Sequence, residues 1–121
     1  MNLSAMKLQS LARITIEIEP EEISIRGNCM ASGDDEFDEK CAKEIEAQLD
    51  SGNLWAWCTV TVRAEYAGVT GYANLGACSY SSGNEFRKDG YFHDMQIEAI
   101  EDLDRRLVFT SREIMALSME G

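Results

Sequence analysis

Basic side chains, histidine and proline are all scarce in this chain. It carries 11 Lys and Arg against 22 Asp and Glu, a formal charge of −11 at neutral pH. Phosphate contacts need Lys and Arg, so direct nucleic-acid binding is not expected. The same charge disfavours docking on an anionic membrane leaflet. No run approaches the roughly 20 apolar residues of a spanning helix, and the first residues lack the basic-then-apolar order of a secretion signal. The expectation is a cytoplasmic chain with no membrane partner. The 121 residues are 45% hydrophobic, enough for a real core and too rich in apolar groups for a disordered acidic tail. One domain over 1–121 is the predicted organisation.

Catalytic patterns are missing as well. The glycines form no dinucleotide or phosphate-loop motif. The only imidazole, His93, lies in F-H-D near the start of a helical stretch. Adjacent helix residues point apart, so Asp94 does not orient it and a surface histidine is expected. The acidic run from Asp34 fails as a calcium loop: Glu39 stands where the sixth position needs glycine, and Ile45 where the twelfth needs glutamate. Cys29, Cys41, Cys58 and Cys78 are spaced by 12, 17 and 20 residues with no C-x-x-C pair. Four free thiols, mostly buried as small hydrophobes, are expected rather than two disulfides or a zinc site. A non-enzyme without metal or cofactor follows.

Periodicity is clear in several places. Residues 13–19 alternate, with Ile14, Ile16 and Ile18 on one side. Pro20 interrupts, and 22–26 resumes the alternation with Ile23 and Ile25, which predicts a second strand after a turn at 20–21. A short helix is predicted over 3–11. Asp34, Asp35 and Glu36 load the start of a helix whose apolar stripe is Phe37, Cys41, Ile45 and Leu49, ended by Gly52. Residues 54–66 read as the strongest strand, with Ala56, Cys58, Val60, Val62 and Ala64 on one face and Trp55, Trp57, Thr59, Thr61 and Arg63 on the other. A turn at 67–68 leads to a strand over 69–80, where Gly71 and Gly76 mark bulges or a close backbone approach. A loop over 81–84 precedes a long helix from about Asp89, striped by Phe92, Met95, Ala99 and Leu103. Thr110, Ser111 and Glu113 would stop it and begin a short last helix. The predicted fold class is α+β: an antiparallel sheet of about four strands with two long helices on one face, in ββαββα order.

Charge is unevenly placed. Residues 1–16 carry +2, 17–50 carry −9, 51–84 are neutral, 85–104 carry −5 and 105–121 carry +1. Such acid is either a solvated face or a surface that imitates the phosphate rows of nucleic acid and is steered to a basic groove. The candidate partner-binding residues are Asp34, Asp35, Glu36, Asp38 and Glu39, then Glu98, Glu101 and Asp102. Trp55 and Trp57, two apart on a predicted strand, are either covered by a second small core or form an exposed hydrophobic interface, such as a homodimer seam.

Three stretches resemble small accessory proteins of bacteriophages, prophages and plasmids. They are W-A-W-C-T-V-T-V-R-A at 55–64, L-G-A-C-S-Y at 75–80 and F-R-K-D-G-Y-F-H-D-M-Q-I-E-A-I-E-D-L at 86–103. The first 50 residues do not share in the resemblance, and no catalytic residue is carried over by it. The resemblance implies a mobile-element protein working in the bacterial host cytoplasm, of the kind that includes anti-CRISPR inhibitors. The expected function is therefore a non-enzymatic acidic inhibitor of a CRISPR effector or similar complex, occluding its DNA or RNA site. The competing expectation is a homo-oligomeric accessory or structural protein using the Trp55/Trp57 face.

Overall fold

A computed structural model describes the backbone of residues 1–120 and their side chains except those at 109, 110, 113, 114 and 116–120. Its elements are α1 (Leu3–Leu11), β1 (Arg13–Pro20), α2 (Asp35–Asp50), a 3-10 turn (Leu54–Ala56), β2 (Cys58–Tyr66), β3 (Val69–Cys78), α3 (Gly83–Lys88) and α4 (Gly90–Glu120). The fold is α+β around a three-stranded antiparallel sheet in the order β1-β2-β3. The predicted four strands and ββαββα order are thereby corrected.

The strand expected over 22–26 is absent because side chains satisfy that backbone instead of a ladder. Pro20 has no N–H to continue β1. The Glu21 carboxylate accepts from the Ile23 N–H at 3.2 Å, and Trp57 Nε1–H donates to the Ile23 carbonyl at 2.8 Å. The chain then turns on Gly27 at φ +82°, with the Asn28 and Cys29 N–H groups both donating to the Ile25 carbonyl. Local turn chemistry outcompetes a short alternation.

The strand expected from residue 54 begins four residues later. Asn53 caps a 3-10 turn by accepting from the Trp55 N–H at 3.2 Å, which removes Trp55 from the sheet. From Cys58 onward the alternation holds: Cys58, Val60, Val62 and Ala64 are buried. Ala67 and Gly68, both at positive φ, form the tight turn to β3, as their position predicts. Ala77 at φ +53° bulges the end of β3 and turns Cys78 inward.

Two further corrections concern helices. Residues 83–88, partly read as loop, form α3, where Ser82 accepts from the Glu85 N–H at 3.3 Å and Phe86 is buried. Helix α4 does not stop at 110–111. The Ser111 hydroxyl donates to the Leu107 carbonyl at 3.0 Å, four residues back, so the serine is absorbed into the helix rather than capping a new one. The side chains of Thr110 and Glu113 lie outside the described ones.

The residues gather into two compact units. One comprises 1–16, 62–73 and 93–121, and the other 17–61 and 74–92. In the first, Leu8, Val62, Ala64, Ala73, Met95, Ala99, Ile100 and Leu103 are buried. Asn2 caps α1 by accepting from the Ala5 N–H at 2.8 Å and donates to the Asp104 carboxylate at 3.1 Å. Asp104, only 8% exposed, is a buried carboxylate that the sequence reading did not single out. In the second unit the core is Ala42, Ala56, Trp57, Cys58, Val60, Cys78 and Phe86.

Candidate acidic interaction face

The N-terminal end of α2 is built by its own acids. Asp34 sits in the N-cap and accepts from the Glu36 and Phe37 N–H groups at 3.1 and 3.2 Å. Asp38 accepts from the Ser32 hydroxyl at 2.6 Å and from its N–H at 3.3 Å, tying the preceding loop to the first turn. Asp35 and Glu36 are exposed and make no side-chain hydrogen bond or ion pair. Their charge stands at the positive end of the helix dipole, a favourable place for an anion.

Further along α2, Arg26 reaches across from the loop. Its guanidinium bonds Glu39 at 2.7 to 3.2 Å and also Glu46. The hydrogen bond from Arg26, opposed by desolvation, holds the Glu39 carboxyl below its usual range, and the two acids push the Arg26 pKa up. The pairing is about half exposed, so it positions the loop more than it stabilises the fold. It also draws Glu39 and Glu46 toward the loop that carries Arg26. The inner face of α2 is centred on Ala42, and Phe37, read as the first residue of the apolar stripe, is 47% exposed. Lys40 and Lys43 share the outer face with Asp35, Glu36, Glu39 and Glu44, so beyond the first turn the acids of that face stand beside basic neighbours.

The second acidic group lies on α4. Glu98 is exposed and Glu101 half-buried, neither with a side-chain partner. Asp102 has a structural task instead. It accepts from the Tyr72 N–H at 2.9 Å, from Arg106 Nε at 2.9 Å and from Arg105 at 3.4 Å. Burial pushes its carboxyl up, but the Tyr72 N–H and Arg106 bonds prevail and hold it below the usual value. Tyr72 is on the edge strand β3, and Asp102 supplies an acceptor for its N–H. Arg63 and Arg106 lie over the Tyr72 ring with 5.5 and 5.4 Å to its centroid. Of the eight acidic candidates, Asp34, Asp38, Glu39 and Asp102 are engaged within the chain, while Asp35, Glu36, Glu98 and Glu101 are not.

The tryptophans do not form an exposed pair. Trp57 is 4% exposed. Trp55 is half-buried in an aromatic cluster, stacked on Phe86 at 5.6 Å and edge-on to Tyr80 at 6.3 Å. Because the Asn53-capped turn delays the start of β2 to Cys58, the two side chains do not share a sheet face.

Glu21, which sequence reasoning passed over as one more acid, is a carboxylate with three partners within the chain. It accepts from the Thr59 hydroxyl, from the Ala77 N–H at 3.1 Å and from the Ile23 N–H. These bonds, Thr59 first, hold its pKa below the ordinary value. A depressed folded-state pKa means that the unfolded chain binds the proton more readily. The stabilisation is therefore present above the unfolded carboxylate pKa and lost as pH falls through the folded one, below about pH 4. Thermal melts of the wild type and Glu21→Gln are expected to differ at neutral pH and to converge in acid. A pH-independent gap would contradict this assignment.

The buried thiols Cys58 and Cys78 offer no activated nucleophile. Desolvation pushes Cys58 up to about 11 and raises Cys78 as well, so both are protonated at neutral pH. His93 is exposed on α4. Among the described residues no group of three or more His, Cys, Asp or Glu could hold a metal ion. Among them, too, no helix is long and apolar enough to cross a membrane. No protein-family profile, curated protein or solved structure matches this chain.

Proposed function

We propose that this protein is a non-enzymatic acidic inhibitor that binds the Lys/Arg-lined nucleic-acid channel of a host defence complex, as anti-CRISPR proteins do, and occludes its DNA or RNA site. The observation that carries the reading is the first turn of α2. There Asp35 and Glu36 project, exposed and unbonded, from a helix end that Asp34, Ser32 and Arg26 fix in place. Preorganised anions lose little freedom on meeting a basic groove, and a net charge of −11 steers the encounter. Asp35 and Glu36 are the primary contacts. Glu39 contributes only where a partner's cation displaces Arg26.

The test is a tagged pull-down from lysate of a CRISPR-bearing bacterium, run with the wild type and an Asp35→Lys/Glu36→Lys variant. The wild type is expected to retain a stoichiometric nucleic-acid-handling complex at low salt and release it at high salt. The variant, with the Asp34 and Asp38 bonds intact, is expected to retain at least about tenfold less. Equal recovery by both baits would refute the role of this face.

A further inference from the structure

Cys29 and Cys41 stand together at a cleft. Both are half-buried, and both line a cavity of about 650 Å³ in the second unit, with Met30, Ile45, Tyr80 and Glu85 among its other walls. The loop carrying Cys29 is held against the stretch of α2 carrying Cys41. Arg26, three residues before Cys29, bonds Glu39 and Glu46, which bracket Cys41 along the helix. The Cys29 N–H is itself fixed to the Ile25 carbonyl at 2.9 Å. Beyond Cys29 the loop returns to the helix through Gly33 at φ +90°, and Ser32 is bound to Asp38. Both ends of the segment from 26 to 32 are thus anchored on α2, and both cysteines line the same cleft. Cys58 and Cys78 are buried, at 0% and 5% exposure, and so are shielded from an oxidant.

We propose that Cys29 and Cys41 form a redox site, closing to an intramolecular disulfide when a small-molecule disulfide such as oxidised glutathione enters the cleft. The Cys29 thiolate attacks one sulfur of the small disulfide, forming a mixed disulfide and expelling one thiolate. The Cys41 thiolate then attacks the Cys29 sulfur and expels the second. Two protein thiols are oxidised, one small disulfide is reduced to two thiols, and the two protein protons pass to the expelled thiolates. Burial and the Glu44 carboxylate push the Cys41 thiol up, and in the second, intramolecular step proximity offsets the smaller thiolate fraction. The closed disulfide fastens the 27–33 loop to α2 covalently, where Arg26 and Ser32 otherwise hold it.

The test treats the reduced full-length protein with oxidised glutathione, then counts thiols in denaturant and maps the linked peptides. Two of the four thiols are expected to disappear, with a 29–41 cross-link and no retained glutathione. Cys29→Ser and Cys41→Ser, each leaving a single cleft thiol, are expected to form no internal link and to keep glutathione as a mixed disulfide. Four thiols remaining in the wild type, stable mixed disulfides on both Cys29 and Cys41, or a link between Cys58 and Cys78 would each overturn the proposal.

Discussion

Phe86→Ala is expected to destabilise the protein by about 4 kcal/mol, the usual scale for emptying a fully buried aromatic site. Phe86 is 0% exposed and is the centre of a ring cluster, 5.6 Å from Trp55, 5.2 Å from Tyr80 and 5.4 Å from Phe92. The neighbours cannot close over the gap. Trp55 sits in a turn capped by Asn53, and Tyr80 is fixed by its hydroxyl, which donates to Asp89 at 3.0 Å. Gly83 leaves little slack on another side, since a Cβ there would lie 3.1 Å from the Trp55 ring. Denaturant melts measure the loss, and tryptophan emission should shift to the red as Trp55 becomes hydrated. Phe86→Leu, which keeps most of the volume, should cost about half as much. Equal stability of wild type and Phe86→Ala would mean that the cluster is not a core.

Gly71→Val is expected to cost about 3 kcal/mol or more by the opposite route, overpacking. A Cβ at residue 71 would lie 2.3 Å from both the Ala99 carbonyl oxygen and the Leu103 nitrogen. Those are backbone atoms of a helix, so no rotamer change relieves the clash and α4 must move off β3. That movement would also lengthen the bond from the Tyr72 N–H to Asp102. Gly76→Ala is the control, because a Cβ there meets only the Glu21 carboxylate, at 3.4 Å. The expected result is a melting midpoint lowered by roughly ten degrees for Gly71→Val, with a much smaller change for Gly76→Ala. Similar midpoints for the two would show that the close approach at Gly71 is not required.

These two positions also show what the sequence could disclose. Gly71 and Gly76 look alike within a strand, and only the helix crossing beside Gly71 separates a packing requirement from a tolerant site. The alternation of 58–64 and the stripe of Met95, Ala99 and Leu103 were legible because burial of one face repeats at the element's own period. The second strand at 22–26 and the early start at Trp55 were misread for a common reason. Glu21 and Asn53 direct the backbone through side-chain bonds that hydrophobic periodicity does not register, and Pro20 withholds the N–H a continuing strand would need. Helix α3 was legible in part, since Ser82 followed three residues later by Glu85 is a capping signal.

The candidate acids were legible as residue types but not as free or engaged groups. Asp102 reads like Glu101, yet it bonds an edge-strand N–H thirty residues away. Glu39 reads like Glu36, yet it is paired with Arg26 thirteen residues earlier. What distinguishes them is a distant partner, which charge counting along the chain does not reveal. The two tryptophans likewise read alike in sequence, yet Trp57 is buried and Trp55 is half-buried against Phe86.

The most direct measurement of the inhibitor reading is displacement of fluorescent target DNA from a CRISPR effector recovered with this protein. The account predicts that the wild type releases the DNA at near-stoichiometric concentration, less effectively as salt rises, and that Asp35→Lys/Glu36→Lys needs at least about tenfold more protein. Retention of the DNA while the wild type is bound, or equal displacement by the charge-reversed variant, would contradict it.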